Sequence, residues 1–219
     1  EIIKSGGIMN TYKIGKGQIK NFQSGIEREW VITNGIGGYA GSSIIGAHTR
    51  KHHGMLIASL HPPVERYLVF SKMQEIFQVG TKQLSLETNQ RPGGNYEEGQ
   101  KYLQRFLYDG LPTFVYSFSG VYFEKTISFE HGKNTIAIGY EIVNGSEEVA
   151  LTLIPLFNYR DHNDRSERAD LRFTTSHDHQ LIKLIPEKNK EITIQLYTSE
   201  GNIMDCPTLY DSDMELQTE

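Results

Sequence analysis

The stretch that decides the fold class is VYFEKTISFEHGKNTIAIGYEIVNGSEEVALTLIPLF, residues 121–157. Within it Ile136, Ile138, Tyr140 and Ile142 fall on one face of an extended chain, and Thr135, Ala137, Gly139, Glu141 and Val143 on the other. A period of two is the pattern of a strand with one side on a core. The runs His131-Gly132-Lys133-Asn134 and Asn144-Gly145-Ser146 interrupt it. Asn-Gly is a strong hairpin signal, because both residues tolerate positive φ. The segment therefore reads as a three-strand antiparallel meander over 121–130, 135–143 and 148–157.

Outward from this stretch the same punctuation recurs. Short apolar or alternating runs bounded by Gly, Pro, Asn and Asp predict strands. They fall at 29–33, 42–45, 55–60, 67–79, 82–86, 105–108 and 113–118, then at 170–174, 180–185 and 191–197. Val79-Gly80-Thr81 is a turn between two of them. No segment carries a convincing amphipathic helix. Two stretches read as long loops, a polar and Gly-rich one at 89–100 and a densely charged one at 159–169, YRDHNDRSERA. The acidic tail at 199–219 has little periodicity.

One all-β domain over residues 9–219 is the economical organisation. Met9 opens a natural-looking start, and EIIKSGGI at 1–8 reads as an upstream or appended segment. The sequence stops without a turn or cap signal, as a cut inside a longer protein would.

Composition narrows the class. A chain of 219 residues with 37% hydrophobic and 22% charged residues can bury a core and is not expected to be disordered. The net charge of −5 argues against nucleic acid or an anionic membrane surface as the main partner. An uncharged substrate such as a sugar is compatible with it. No run approaches the roughly 18 apolar residues of a membrane span, and the first residues lack the apolar stretch expected of a signal peptide. The single cysteine, Cys206, cannot form an internal disulfide, so a reducing cytoplasmic setting is expected.

The densest motif is WVITNGIGGYAGSSIIGAHTRKHHG at 30–54. Gly35-Ile36-Gly37-Gly38-Tyr39-Ala40 formally matches a dinucleotide fingerprint, but that chemistry needs a helix after the glycines, and a strand-like run follows instead. Two readings of the glycines stay open. They shape a tight turn, or they let backbone approach a ligand to which Asn34 and Tyr39 add contacts. In His48-Thr49-Arg50-Lys51-His52-His53 no carboxylate or Cys accompanies the histidines, so no metal site is expected. A polar edge or a cationic contact patch remains. Asn158-Tyr159-Arg160-Asp161-His162 has groups that could chelate sugar hydroxyls and stack on a pyranose, or it is a solvated loop. None of the 27 acidic residues stands in the paired setting of a glycosidase, and there is no nucleophile elbow or P-loop.

Three segments together resemble a known family. They are EWVITNGIGGYAGSSIIGAHTRKHHGMLIASLHPPVERYLVFSKMQEIF, RFLYDGLPTFVYSFSGVYFEKTISFEHGKNTIAIGYEIVNG and LTLIPLFNYRDHN, covering about residues 25–163. In content, order and spacing they resemble the N-terminal domain of bacterial and archaeal glycogen debranching enzymes of the amylo-α-1,6-glucosidase type. His52-His53 departs from that pattern, which has an aromatic before the His.

The resemblance implies an antiparallel β-supersandwich of two large packed sheets, similar to the N-domains of glucoamylases and to galactose mutarotase. It implies a catalytic (α/α)6 toroid elsewhere in the polypeptide, carrying the acid and base, so no catalytic residue and no cofactor is expected here. The implied partners are an α-glucan, such as glycogen or a maltooligosaccharide, and that catalytic domain. The residues expected to touch sugar or the toroid are Asn34, Gly37, Gly38, Tyr39, Arg50, His52, His53, Arg160, Asp161 and His162. A stand-alone carbohydrate-binding module and a β domain for protein contacts are the competing readings.

Overall fold

The computed structural model describes residues 11–143 and 145–204. Residues 1–8, Met9, Asn144 and Cys206 therefore lie outside the described residues. The strands are β1 (Tyr12–Gly15), β2 (Glu29–Thr33), β3 (Tyr39–Ser43), β4 (Gly54–His61), β5 (Val64–Val79), β6 (Lys82–Ser85), β7 (Thr88–Arg91) and β8 (Asn95–Glu98). They continue as β9 (Leu103–Tyr108), β10 (Pro112–Phe118), β11 (Val121–Phe129), β12 (Ile136–Val143), β13 (Val149–Asp161), β14 (Phe173–Asp178), β15 (Leu181–Pro186) and β16 (Ile194–Tyr197). One five-residue helix, α1 (Phe22–Ile26), is capped by Asn21, whose Oδ1 accepts from Ser24 N–H at 2.8 Å.

The chain is all-β, and every paired strand runs antiparallel to its neighbour. One sheet has the order β1-β9-β10-β11-β12. The other has β13-β5-β4-β3-β2, with β6 paired to β5. The two sheets face each other across an aromatic core. Phe77 of β5 meets Phe118 of β10 and Phe123 of β11 at ring-centroid distances of 4.8 and 4.9 Å. Trp30 of β2 reaches Phe114 of β10 at 6.2 Å. Edge-to-face geometry suits the ring quadrupoles, and each such pair adds about 1 kcal/mol beyond its area burial.

The meander expectation fails at its third strand. β11 and β12 form the expected hairpin, in register from Tyr122↔Val143 to Phe129↔Ile136. β13 then leaves that sheet and pairs with β5, from Val149↔Val79 to Asp161↔Tyr67. A turn signal encodes a reversal of direction. It does not encode which strand accepts the next set of backbone hydrogen bonds. The long β5 offers β13 a full-length partner, and there Phe157 packs on Phe70 at 5.5 Å and on Phe173 at 6.4 Å.

Smaller differences follow the same logic. The polar stretch at 89–100 is largely the β7-β8 hairpin, held by Asn89 and Arg91 to Glu97. Polar side chains there do what apolar ones do elsewhere, so the stretch lacks a hydrophobic signature. Ile44 and Ile45 are buried in a turn after β3 rather than in a strand, and Asp170 sits in a 3-10 turn ahead of β14. β1 carries too short a pattern to be read from sequence.

Candidate functional site

The outer face of the β13-β5-β4-β3-β2 sheet gathers most of the expected site residues. The turn from β2 to β3 is built around Asn34, which is fully buried. Its Oδ1 accepts the N–H groups of Ile36 at 3.1 Å and Gly38 at 2.9 Å. Its Nδ2 donates to Lys133 O at 3.0 Å and to Asn134 Oδ1 at 3.1 Å. Both lone pairs and both amide hydrogens are thus committed. Asn134 in turn exchanges two hydrogen bonds with the Ser59 backbone, at 2.7 and 3.0 Å. The 34–38 turn, the β11-β12 turn and β4 are therefore one locked unit. Asn34 serves as its pin, with no capacity left for a ligand.

The glycines of this turn are dictated by close approach. Gly37 has φ of +100°, and a Cβ there would run into the carbonyl of Pro63. A Cβ on Gly38 would run into the Asn34 amide. Arg66, which follows the β4-β5 turn, donates from Nε to Gly37 O at 2.7 Å.

These elements border a widely open cleft lined by Val31, Thr33, Gly35, Gly37, Gly38, Tyr39 and Arg66. Tyr39 is half-buried, and burial raises its hydroxyl pKa against the opposing pull of Arg66 and Arg160. Its ring stands edge-on to His162 at 6.4 Å, and His162 stands edge-on to His52 at 5.6 Å. The backbone N–H of His162 donates to Arg66 O at 3.0 Å. Burial lowers the His162 pKa despite the Asp161 carboxylate at 3.4 Å, which keeps the ring neutral at pH 7. Asp161 Oδ1 also accepts Asn163 N–H at 2.8 Å.

Two other expected residues, Arg160 and His53, turn away from the cleft into the packing beneath it, and Arg50 stands beside it. Arg160 is buried. It donates to Lys51 O at 2.5 Å, to Asp161 O at 3.0 Å and to Ser166 Oγ at 3.1 Å, clamping the 48–53 segment to the end of β13. His53 is buried with Nδ1 accepting Thr49 N–H at 3.0 Å, so its proton sits on Nε2, 3.3 Å from Glu29 Oε1. Burial pushes its pKa down to about 4. Arg50 is exposed and reaches the same Glu29 oxygen from Nε at 2.5 Å.

The structure thus brings Gly37, Gly38, Tyr39, His52, Asp161 and His162 into one neighbourhood. Asn34, His53 and Arg160 support it from below, and Arg50 stands beside it. Sequence reading missed Arg66 and Thr33. The available signal for Arg66 was a guanidinium at the head of the apolar run YLVF, just past a Pro-Pro turn.

Fold and site together define an antiparallel β-sandwich domain with a preorganised open cleft on one outer face. A family model described as glycogen debranching enzyme N terminal matches residues 28–219. The chain belongs to that family, and the match runs well past residue 163, where the recognisable sequence resemblance fades. Searches of the curated proteins and of the solved structures gave no match. Among the described residues no helix is long and apolar enough to cross a membrane.

Proposed function

We propose that this chain is the non-catalytic N-terminal domain of a glycoside hydrolase that removes α-1,6-linked glucose branches from glycogen-like glucans in the cytoplasm. It packs on an (α/α)6 catalytic domain and rims that domain's substrate site with the outer-face cleft. Family membership over residues 28–219 is the observation that supports this most strongly. The rigid 34–38 turn supports it in a second way. Its geometry is over-determined by Asn34 and two close-packed glycines, as a surface that must present fixed contacts requires.

Calorimetric titration with maltooligosaccharides, run beside a hydrolysis assay on a 1,6-linked glucan, tests the reading. The expected result is glucan binding without hydrolysis. Hydrolysis by the purified chain, traced to the chain itself, would overturn the assignment of catalysis to another domain. Neither binding nor hydrolysis would reduce the role to scaffolding.

A further inference from the structure

The lining of the outer-face cleft is unequal in donors and acceptors. Arg66 brings a guanidinium whose Nε is tied to Gly37 O, and no carboxylate pairs with it among the described residues. Two other arginines differ. Arg91 holds Glu97, and Arg160 spends its donors on two carbonyls and a hydroxyl. No acidic side chain lines the cleft. The Tyr39 hydroxyl adds a donor, and no hydrogen bond engages it among the described residues. Gly37 O, the carbonyl nearest the guanidinium, is already taken by Arg66 itself.

A neutral sugar donates as many hydrogen bonds as it accepts, and its sites usually supply carboxylates or amides as acceptors. A lining that carries one guanidinium without a carboxylate partner, and no acidic side chain, matches an acceptor-only group instead. A guanidinium fork is the side chain best matched to a phosphate. Phosphate alone would leave the Val31, Thr33 and glycine part of the lining without a contact. The other walls are Val31, Thr33 and glycine backbone, which are neutral and suit the face of a pyranose.

We propose that this cleft binds a sugar phosphate ester, with the phosphoryl group on the free Nη donors of Arg66 and on Tyr39 Oη, and the ring over Val31 and Thr33. The Arg66 Nε–Gly37 bond holds the fork in place before the ligand arrives, so little side-chain entropy is lost on binding. The inference deepens the reading of the cleft as a carbohydrate contact by naming the substituent it selects. The experiment separates the two.

The purified chain is titrated by calorimetry with glucose 6-phosphate, glucose 1-phosphate, inorganic phosphate, glucose and maltotriose. A glucose phosphate is expected to bind at least tenfold more tightly than glucose or maltotriose, and more tightly than inorganic phosphate. Its affinity is expected to fall with added salt. Arg66→Gln is expected to cost tenfold or more in that affinity. Tyr39→Phe, which keeps the ring against His162, is expected to cost several-fold and serves as the second variant if Arg66→Gln does not fold.

Maltotriose binding as tightly as the phosphates would overturn the inference while supporting a neutral-glucan cleft. Inorganic phosphate matching the sugar phosphates would remove the ring from the site and overturn it as stated. No binding of any phosphate, or unchanged affinity in both variants, would overturn it outright. The debranching reading falls on a different result, hydrolysis by this chain.

Discussion

Lys125 Nζ on β11 lies 2.5 Å from Glu75 Oε1 on β5, so an ion pair joins the two sheets inside the core. Both side chains are buried, and Tyr140 Oη donates to the same oxygen at 2.9 Å. Burial and the Glu75 carboxylate push the Tyr140 pKa well above its usual range, which keeps its proton in place as a donor. A buried pair of this kind owes its stability to being complete, because each ion alone would bear the full cost of desolvation.

Glu75→Leu is therefore expected to lower unfolding free energy by about 3–5 kcal/mol, since it strands the Lys125 ammonium. The double variant Glu75→Leu/Lys125→Met should lose clearly less than the sum of the two single losses. Urea unfolding of the four proteins measures the coupling. Additive losses would show that the two sheets are not held through this pair.

Asn34 is expected to act on stability rather than on ligand affinity directly. Asn34→Ala leaves buried donors and acceptors on the 34–38 turn and on Asn134 without partners, at about 1–3 kcal/mol for such a group. Chemical denaturation should show a loss in that range or above. A variant with wild-type stability would contradict the pinned turn.

Two glycines with positive φ separate strain from crowding. Gly46 has φ of +77° with open space where a Cβ would sit, whereas Gly37 has φ of +100° and faces the Pro63 carbonyl. Gly46→Ala should cost about 1–2 kcal/mol from backbone conformation alone. Gly37→Ala should cost more, and the melting temperatures of the two variants rank them. Equal shifts would mean that the β4-β5 turn yields without resistance.

The pH dependence has a definite sign. His53 has a folded pKa of about 4 against 6.5 for the free side chain. Between those values the unfolded chain takes up a proton that the folded chain refuses. Stability from this group is complete above about pH 6.5 and is lost as pH falls toward 4, by at most about 3 kcal/mol. Unfolding free energies across that window measure the slope, and His53→Gln should flatten it. His48, whose pKa burial lowers well below 6.5, adds slope of the same sign, so some should remain. An unchanged slope in His53→Gln would remove His53 from the account.

Much of the strand content was legible because the signal is local. Alternation in 121–129 and 136–143, and turn residues between them, are enough to place β11 and β12 as a hairpin. The 30–54 motif was legible as special because it concentrates glycines and polar side chains in one run. The roles inside it were not. Asn34, Tyr39 and His53 are all polar and hydrogen-bonding, yet one pins a turn, one lines a cleft and one sits neutral under a loop. Partners 100 or more residues away in sequence, such as Asn134 for Asn34 and His162 for Tyr39, make the difference. Arg66 was overlooked for the same reason, since its importance comes from Gly37 across the sheet.

The sequence by itself determined that this is an all-β chain, where most of its strands lie and which family it belongs to, because each rests on residue order and period. Tertiary structure alone decided that β13 crosses to the second sheet and that the buried Arg160 is internal while Arg66 faces the cleft. Backbone hydrogen bonds can be satisfied by any neighbouring strand, and a guanidinium can serve as a clamp or as an open fork. The choice falls to the arrangement that pairs most of the buried polar groups, and that arrangement exists only once distant segments have met.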